Sequence, residues 1–208
     1  VADELVFYTN PMSRGRITRW MLEEVGVPYR TEVLDYGTTM KADAYLAINP
    51  MGKVPAILHN GRIVTEGAAI CAYLADAYPE AGLAPPIDDR ADYYRWLFYA
   101  AGPVEQAVTD RSRKIEPTAR ERMSVGYGCY DAVVDALEYA VTRSDYIAGD
   151  RFSAADVYCG SQIGWGKQFG TLPQRDAFDA YLARIMGREA AVRANAIDDA
   201  LIAAAAPA

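Results

Sequence analysis

Apolar and polar positions change period several times in the first third of the chain. Residues 4–8, Glu-Leu-Val-Phe-Tyr, predict a short strand that Asn10-Pro11 stops. From Ser13 onward Ile17, Trp20, Met21 and Val25 recur at the spacing of one helical face, with Gly26 as the stop and Pro28 just beyond. Tyr29 to Leu34 predicts a second strand, and a strand–helix–strand unit of this size favours parallel strands with a right-handed crossover. A helical stretch follows over 41–48. Ala56–His59 and Arg62–Thr65 then predict two strands joined by Asn60-Gly61, a type I′ hairpin signal. Glu66 opens a helix with Ile70, Tyr73, Leu74 and Ala77 on one face.

Residues 79–90 carry three prolines and a glycine, the composition of a linker. Beyond them the pattern is helical: Tyr93, Trp96, Leu97 and Ala100 mark one amphipathic helix, and Tyr130, Val133, Val134, Leu137 and Val141 another. The expected organisation is therefore a domain over 1–78, a linker over 79–90 and an all-helical domain over 91–208. No internal repeat is visible, and the alanine-rich 203–208 end is expected to fray.

Composition narrows the chemistry. The 208 residues hold 21 basic and 28 acidic side chains, a formal charge of −7, which argues against a nucleic-acid partner. With His59 the sole histidine, no His-rich metal site can form, and no metal cofactor is expected. That residue, beside the hairpin turn, is expected at the surface. Cys71, Cys129 and Cys159 are widely spaced, without a C-x-x-C pair; they read as small buried hydrophobes in a reducing compartment. The chain shows no basic stretch followed by an apolar run at its start and no run of 18 apolar residues, so no membrane partner and a cytoplasmic location are expected.

Three places could carry chemistry. Pro55 is either a trans proline that starts a strand or the second residue of a cis Val54–Pro55 bond. In the second case the Val54 backbone would be free to pair with an extended, peptide-like ligand. Ser13 stands at a helix start, where its hydroxyl can cap a backbone N–H or, with the helix dipole, favour an anion such as a thiolate. Glu66 before Gly67 marks a second helix start with a carboxylate beside it. Ser153 and Asp156 have capping-box spacing and belong to folding, each side chain being worth about 1 kcal/mol.

The segments Phe7-Tyr8-Thr9-Asn10-Pro11-Met12-Ser13-Arg14, Asn49-Pro50-Met51-Gly52-Lys53-Val54-Pro55 and Thr65-Glu66-Gly67-Ala68-Ala69-Ile70 resemble those of bacterial cytosolic glutathione transferases. So does Tyr146 to Asp156, a Gly-Asp-x-Phe-Ser-x-x-Asp helix start. The resemblance covers nearly the whole chain and favours the cis form of Pro55. It implies an α/β thioredoxin-like N-terminal domain (βαβ-α-ββα), an all-α C-terminal domain, a homodimer, and glutathione as co-substrate. Carried over, Val54 after the Pro55 turn would pair with the cysteinyl residue, Glu66 with the γ-glutamyl ammonium, and the Gly67 N–H with its carboxylate. Lys53 and Lys41 are candidates for the glycyl carboxylate.

This chain departs from the family at Gly67, where a serine usually donates to the γ-glutamyl carboxylate; its loss removes a bond worth about 1.5–3 kcal/mol, which Thr65 could replace. With no cysteine in residues 5–20, Ser13 fits the serine-type classes, Asn10 and Thr9 are fallbacks, and Tyr8 reads as structural. The electrophile is expected between the domains, with Tyr99 and Trp165 as pocket walls. The implied activity is thiolate attack on a small hydrophobic electrophile, an alkyl or aryl transfer of the detoxification type. The alternatives are glutathione-dependent reduction of disulfides or peroxides, and a non-catalytic binding protein.

Overall fold

The computed structural model describes residues 4–205. Its first part runs β1 (Leu5–Thr9), α1 (Gly15–Val25), β2 (Arg30–Val33), α2 (Asp43–Leu46), β3 (Ala56–His59), β4 (Arg62–Thr65) and α3 (Gly67–Ala77). The strands form one mixed sheet in the order β2-β1-β3-β4. The β1–β2 pair is parallel, and β1–β3 and β3–β4 are antiparallel. This is the expected thioredoxin-like βαβ-α-ββα arrangement. The central strand β1 is an almost continuous apolar run, as a strand covered on both faces must be, with Leu5, Val6 and Phe7 buried. Ile17, Met21 and Leu22 of α1 and Ile70 and Leu74 of α3 are buried with them.

The turn signals act as their chemistry requires. Gly26 ends α1 in the left-handed conformation at φ 74°, its N–H returning to the Leu22 carbonyl. Asn60 and Gly61 both have positive φ, 50° and 78°, the requirement of a type I′ turn. His59 departs from expectation. It is only 7% exposed, with Nδ1 2.9 Å from the Tyr73 hydroxyl and Nε2 3.1 Å from that of Tyr78. Two hydroxyls satisfy both ring nitrogens, which makes burial of the imidazole tolerable beside an exposed turn.

The second part is helical: α4 (Ala91–Tyr99), α5 (Glu105–Ser112), α6 (Tyr130–Thr142), α7 (Ala154–Gln168), α8 (Asp176–Met186) and α9 (Glu189–Ala205). A π turn over Ala100–Val104 joins α4 to α5 and contains Pro103, whose missing N–H and ring cannot continue a regular ladder. The chain divides into two compact units. One runs to Ala81 and takes in the chain again from Arg188, and the other is Gly82–Gly187. The sequence reading placed 91–208 in one domain; the structure instead packs α9 on α1. Tyr93, Trp96, Leu97, Val133, Leu137, Val157, Phe178 and Ile185 are buried in the second unit. The fraying expected at 203–208 does not begin before Ala205; the last three residues lie outside those described. Cys71 and Cys159 are buried, whereas Cys129, just ahead of α6, is half-buried. No described helix is long and apolar enough to cross a membrane.

Candidate functional site

The sheet register gathers three loops at one end. Tyr8 faces Ala56, Ala56 faces Thr65, and Thr9 faces Val33. Asn10, Leu34, Pro55 and Glu66, each one residue further, therefore share that end. Both α1 and α3 begin there, so two helix N-termini bring unpaired N–H groups and partial positive charge to the same place.

The Val54–Pro55 bond is cis. Val54 lies two residues before β3 and takes no part in its ladder. Asn49 orders this turn: its Nδ2 donates to the Lys53 carbonyl at 2.8 Å and its Oδ1 accepts from the Met51 N–H at 3.1 Å. The Tyr45 hydroxyl donates to the same Lys53 carbonyl at 2.6 Å, and burial pushes that phenol up to about 12. Lys41 supports the turn from the other side, its ammonium donating to the carbonyls of Gly52 (2.7 Å) and Met51 (3.2 Å). The Lys53 side chain is exposed. Sequence reasoning missed Tyr45, because nothing local distinguishes it from any other tyrosine on a short helix.

The loop after β1 is equally well tied. Thr9 is fully buried, and its hydroxyl has no hydrogen-bond partner. A Cβ on Gly15 would lie 2.0 Å from that hydroxyl and 3.0 Å from Ser13 Oγ, so glycine permits α1 to start this close to β1. Asn10 is buried; Nδ2 donates to the Leu34 carbonyl at 2.8 Å and Oδ1 accepts from the Met12 N–H at 3.0 Å. Ser13 is half-buried. Its hydroxyl donates to the Asn10 carbonyl at 2.6 Å and accepts from the Gly15 N–H at 2.9 Å, satisfying one of the free donors of α1. Of the three hydroxyl and amide candidates, Ser13 alone retains exposure. Tyr8 packs with Tyr45, Met40 and Ala56.

Glu66 is exposed and sits at φ 66°, ψ 116°, in the left-handed half of backbone space, immediately before α3. A non-glycine residue there is uncommon and marks a backbone fixed by its surroundings. Gly67 supplies the first N–H of α3. Tyr99 and Trp165 lie on helices of the other unit. Both are half-buried, and the Tyr99 hydroxyl donates to the Val133 carbonyl at 3.2 Å.

Residues 12–77 match the family model described as the glutathione S-transferase N-terminal domain. Glutathione S-transferase GstA of Escherichia coli O157:H7 is 32% identical over 131 residues, 59% of this chain and 62% of that protein. Protein LigF of a Sphingobium species is 51% identical over 167 residues, 61% of this chain and 64% of LigF. In both matches the chain spans less than two thirds of the relative's length. A solved sphingomonad glutathione S-transferase, complexed with glutathione, superposes with a TM-score of 0.76 at 26% identity, covering 93% of this chain and 98% of that one. Residues 12–77 thus resemble the N-terminal domain of glutathione S-transferases, and nearly the whole chain shares the fold of a solved glutathione S-transferase.

Proposed function

We propose that the chain binds glutathione at this end of the sheet and activates its thiolate for attack on a small hydrophobic electrophile. The observation that carries the reading is the register, which puts the Val54–Pro55 turn, the Glu66–Gly67 start of α3 and the Ser13 loop side by side. In this reading Val54 pairs through its backbone with the cysteinyl residue. The exposed Glu66 carboxylate takes the γ-glutamyl ammonium, and the Gly67 N–H takes its carboxylate. Lys53 takes the glycyl carboxylate, while Lys41 holds the turn through the carbonyls it already meets. A homodimer, a cytoplasmic location and a detoxification role belong to the same reading; sedimentation checks the first.

The sulfur falls to Ser13 and the N-terminus of α1. A free thiol with a pKa of about 8.5 is roughly 3% thiolate at pH 7. Lowering the pKa to about 6.5 makes it about three-quarters thiolate, a gain of roughly 25-fold, offset in part because a less basic thiolate is a weaker nucleophile. To donate, the Ser13 hydroxyl must turn from the Asn10 carbonyl; its N–H neighbours need no such change. Ser13→Ala is therefore expected to raise the pKa of bound glutathione and slow conjugation of a chloronitroaromatic. An unshifted thiolate absorbance titration would remove Ser13 from the role. Activity only in reduction of a small mixed disulfide would make the chain a reductase. Activity in neither assay, without retention on immobilised glutathione, would leave a non-catalytic protein.

A further inference from the structure

The α1–α9 seam is written in charge. Along α1, Arg16 and Arg19 precede Glu23 and Glu24; along the last segment, Arg188 and Arg193 precede Asp198 and Asp199. The two helices meet antiparallel, and every one of these groups finds its opposite. Arg16 Nη2 lies 2.8 Å from Asp199 Oδ1, and Arg19 Nε lies 3.0 Å from Asp198 Oδ1. Arg193 Nε is 3.2 Å from Glu23 Oε2, and Arg188 Nε is 2.7 Å from Glu24 Oε1. A parallel docking would oppose like charges at each position, so the order of charges specifies both direction and register. The Arg19–Asp198 pair is almost wholly buried, and Arg19 also donates to Thr31 Oγ1 and the Tyr29 hydroxyl.

One end of this seam reaches the candidate site. The Arg16 N–H donates to the Ser13 carbonyl at 3.2 Å, while its guanidinium donates to Asp199 and, at 3.0 Å, to Asn195 Oδ1. A short chain of hydrogen bonds through the single residue Arg16 therefore connects α9 to the turn that presents Ser13. The Glu23–Arg193 pair, two helical turns away, has no such link. Asp199 is 67% exposed, and an ion pair in that setting contributes little to global stability.

We propose that Arg16 is a positioning residue. Held by Asp199 and Asn195 of α9, it fixes the first turn of α1 and with it the direction of the Ser13 hydroxyl and of the N–H groups that meet the glutathione sulfur. The inference rests on the thiolate role proposed above for this turn. Its consequence is that the last helix, far away in sequence, sets the acidity of the bound thiol.

The test compares Arg16→Ala, Asp199→Ala, the exchange Arg16→Asp with Asp199→Arg, and Arg193→Ala from the far end of the seam. The readouts are the ultraviolet titration of bound glutathione, kcat and KM, and amide exchange of residues 15–17. Both single variants at the near end should raise the thiol pKa, lower kcat by about three- to tenfold with KM for glutathione within about twofold, and speed exchange in that turn. The exchange variant should recover most of the loss, and Arg193→Ala should show none. Unchanged kcat and thiol pKa in both single variants, or an equal loss in Arg193→Ala, would overturn the proposal while leaving the glutathione reading intact. A wild-type protein with no titratable bound thiolate would overturn both.

Discussion

Asp156 is fully buried near the start of α7, where its two oxygens accept from four donors. Oδ1 takes the Ile147 N–H and the Tyr181 hydroxyl, each at 2.8 Å. Oδ2 takes the Ser153 N–H at 2.9 Å and the Ser153 hydroxyl at 3.2 Å, completing a capping box. Burial pushes the carboxyl above the usual carboxylate range, and the four donors offset only part of that rise. The two halves of the box are consequently unequal. Ser153→Ala removes two long contacts, the second being the Ala155 N–H at 3.3 Å, and should cost about 1 kcal/mol. Asp156→Ala strands three further donors in the interior at about 1–3 kcal/mol each, and local relaxation brings the total to about 3–5 kcal/mol. With a urea slope of about 2 kcal/mol per M, the midpoint should fall by about 2 M, against roughly 0.5 M for Ser153→Ala. Fluorescence of Trp96 and Trp165, which lie in the same unit, reports the transition. Asp156→Asn, which keeps one carbonyl oxygen, should fall between the two. Equal midpoints for Asp156→Ala and Ser153→Ala, with unchanged slopes, would refute the view of this carboxylate as the hub of the unit.

Three other outcomes are expected. Gly67→Ser restores a hydroxyl donor at the start of α3 and should lower the Kd for glutathione about tenfold; isothermal titration showing no change or weaker binding would mean that Thr65 or another donor already serves. Gly15→Ala drives a methyl into Thr9 Oγ1 and should lose about 1–3 kcal/mol in thermal unfolding despite alanine's better helix propensity. Adding Thr9→Ala should recover part of it, and a stabilised single variant would show that α1 can retreat. Burial pushes the Tyr29, Tyr45 and Tyr99 phenols up to about 12, above an unfolded value near 10. Such groups support the fold below pH 10 and withdraw that support as the pH rises through 12. Phenolate absorbance should show these tyrosines ionising late and together with loss of circular dichroism. All 15 tyrosines titrating near 10 in a folded chain would contradict this.

Local signals gave the sheet unit almost residue by residue, because each is a short-range event. Gly26 stops a helix, Asn60-Gly61 closes a hairpin, and Ser153 with Asp156 starts a helix, all within four residues. What escaped depends on partners far away in sequence. His59 is buried because Tyr73 and Tyr78 come back over β3. Asp156 becomes a hub only when Tyr181 arrives from α8. Thr9 loses access to any ligand because Gly15 lets α1 approach, a closeness that no periodicity encodes. The place of α9 was also missed, although a signal existed: the basic-then-acidic order in α1 is repeated in the last helix, which is the pattern two antiparallel helices need.

The candidate site is unusual in how few of its side chains remain free to do chemistry. Asn10, Asn49, Tyr45 and Lys41 are all spent on holding backbone, and the Ser13 hydroxyl is engaged at both donor and acceptor. What they hold in place is main chain: the Val54 turn outside its ladder, the loop after β1, and the first turn of α1. A site of this kind suits a ligand that is itself a peptide and carries its own thiol. Amide edges and two carboxylates can be met by backbone and helix dipoles without desolvating an enzyme base. It also follows that substitutions in the holding residues should act through geometry. A lost Asn49 or Tyr45 bond would move the Val54 edge and weaken glutathione binding, whereas the acidity of the sulfur would answer only to the turn at the start of α1.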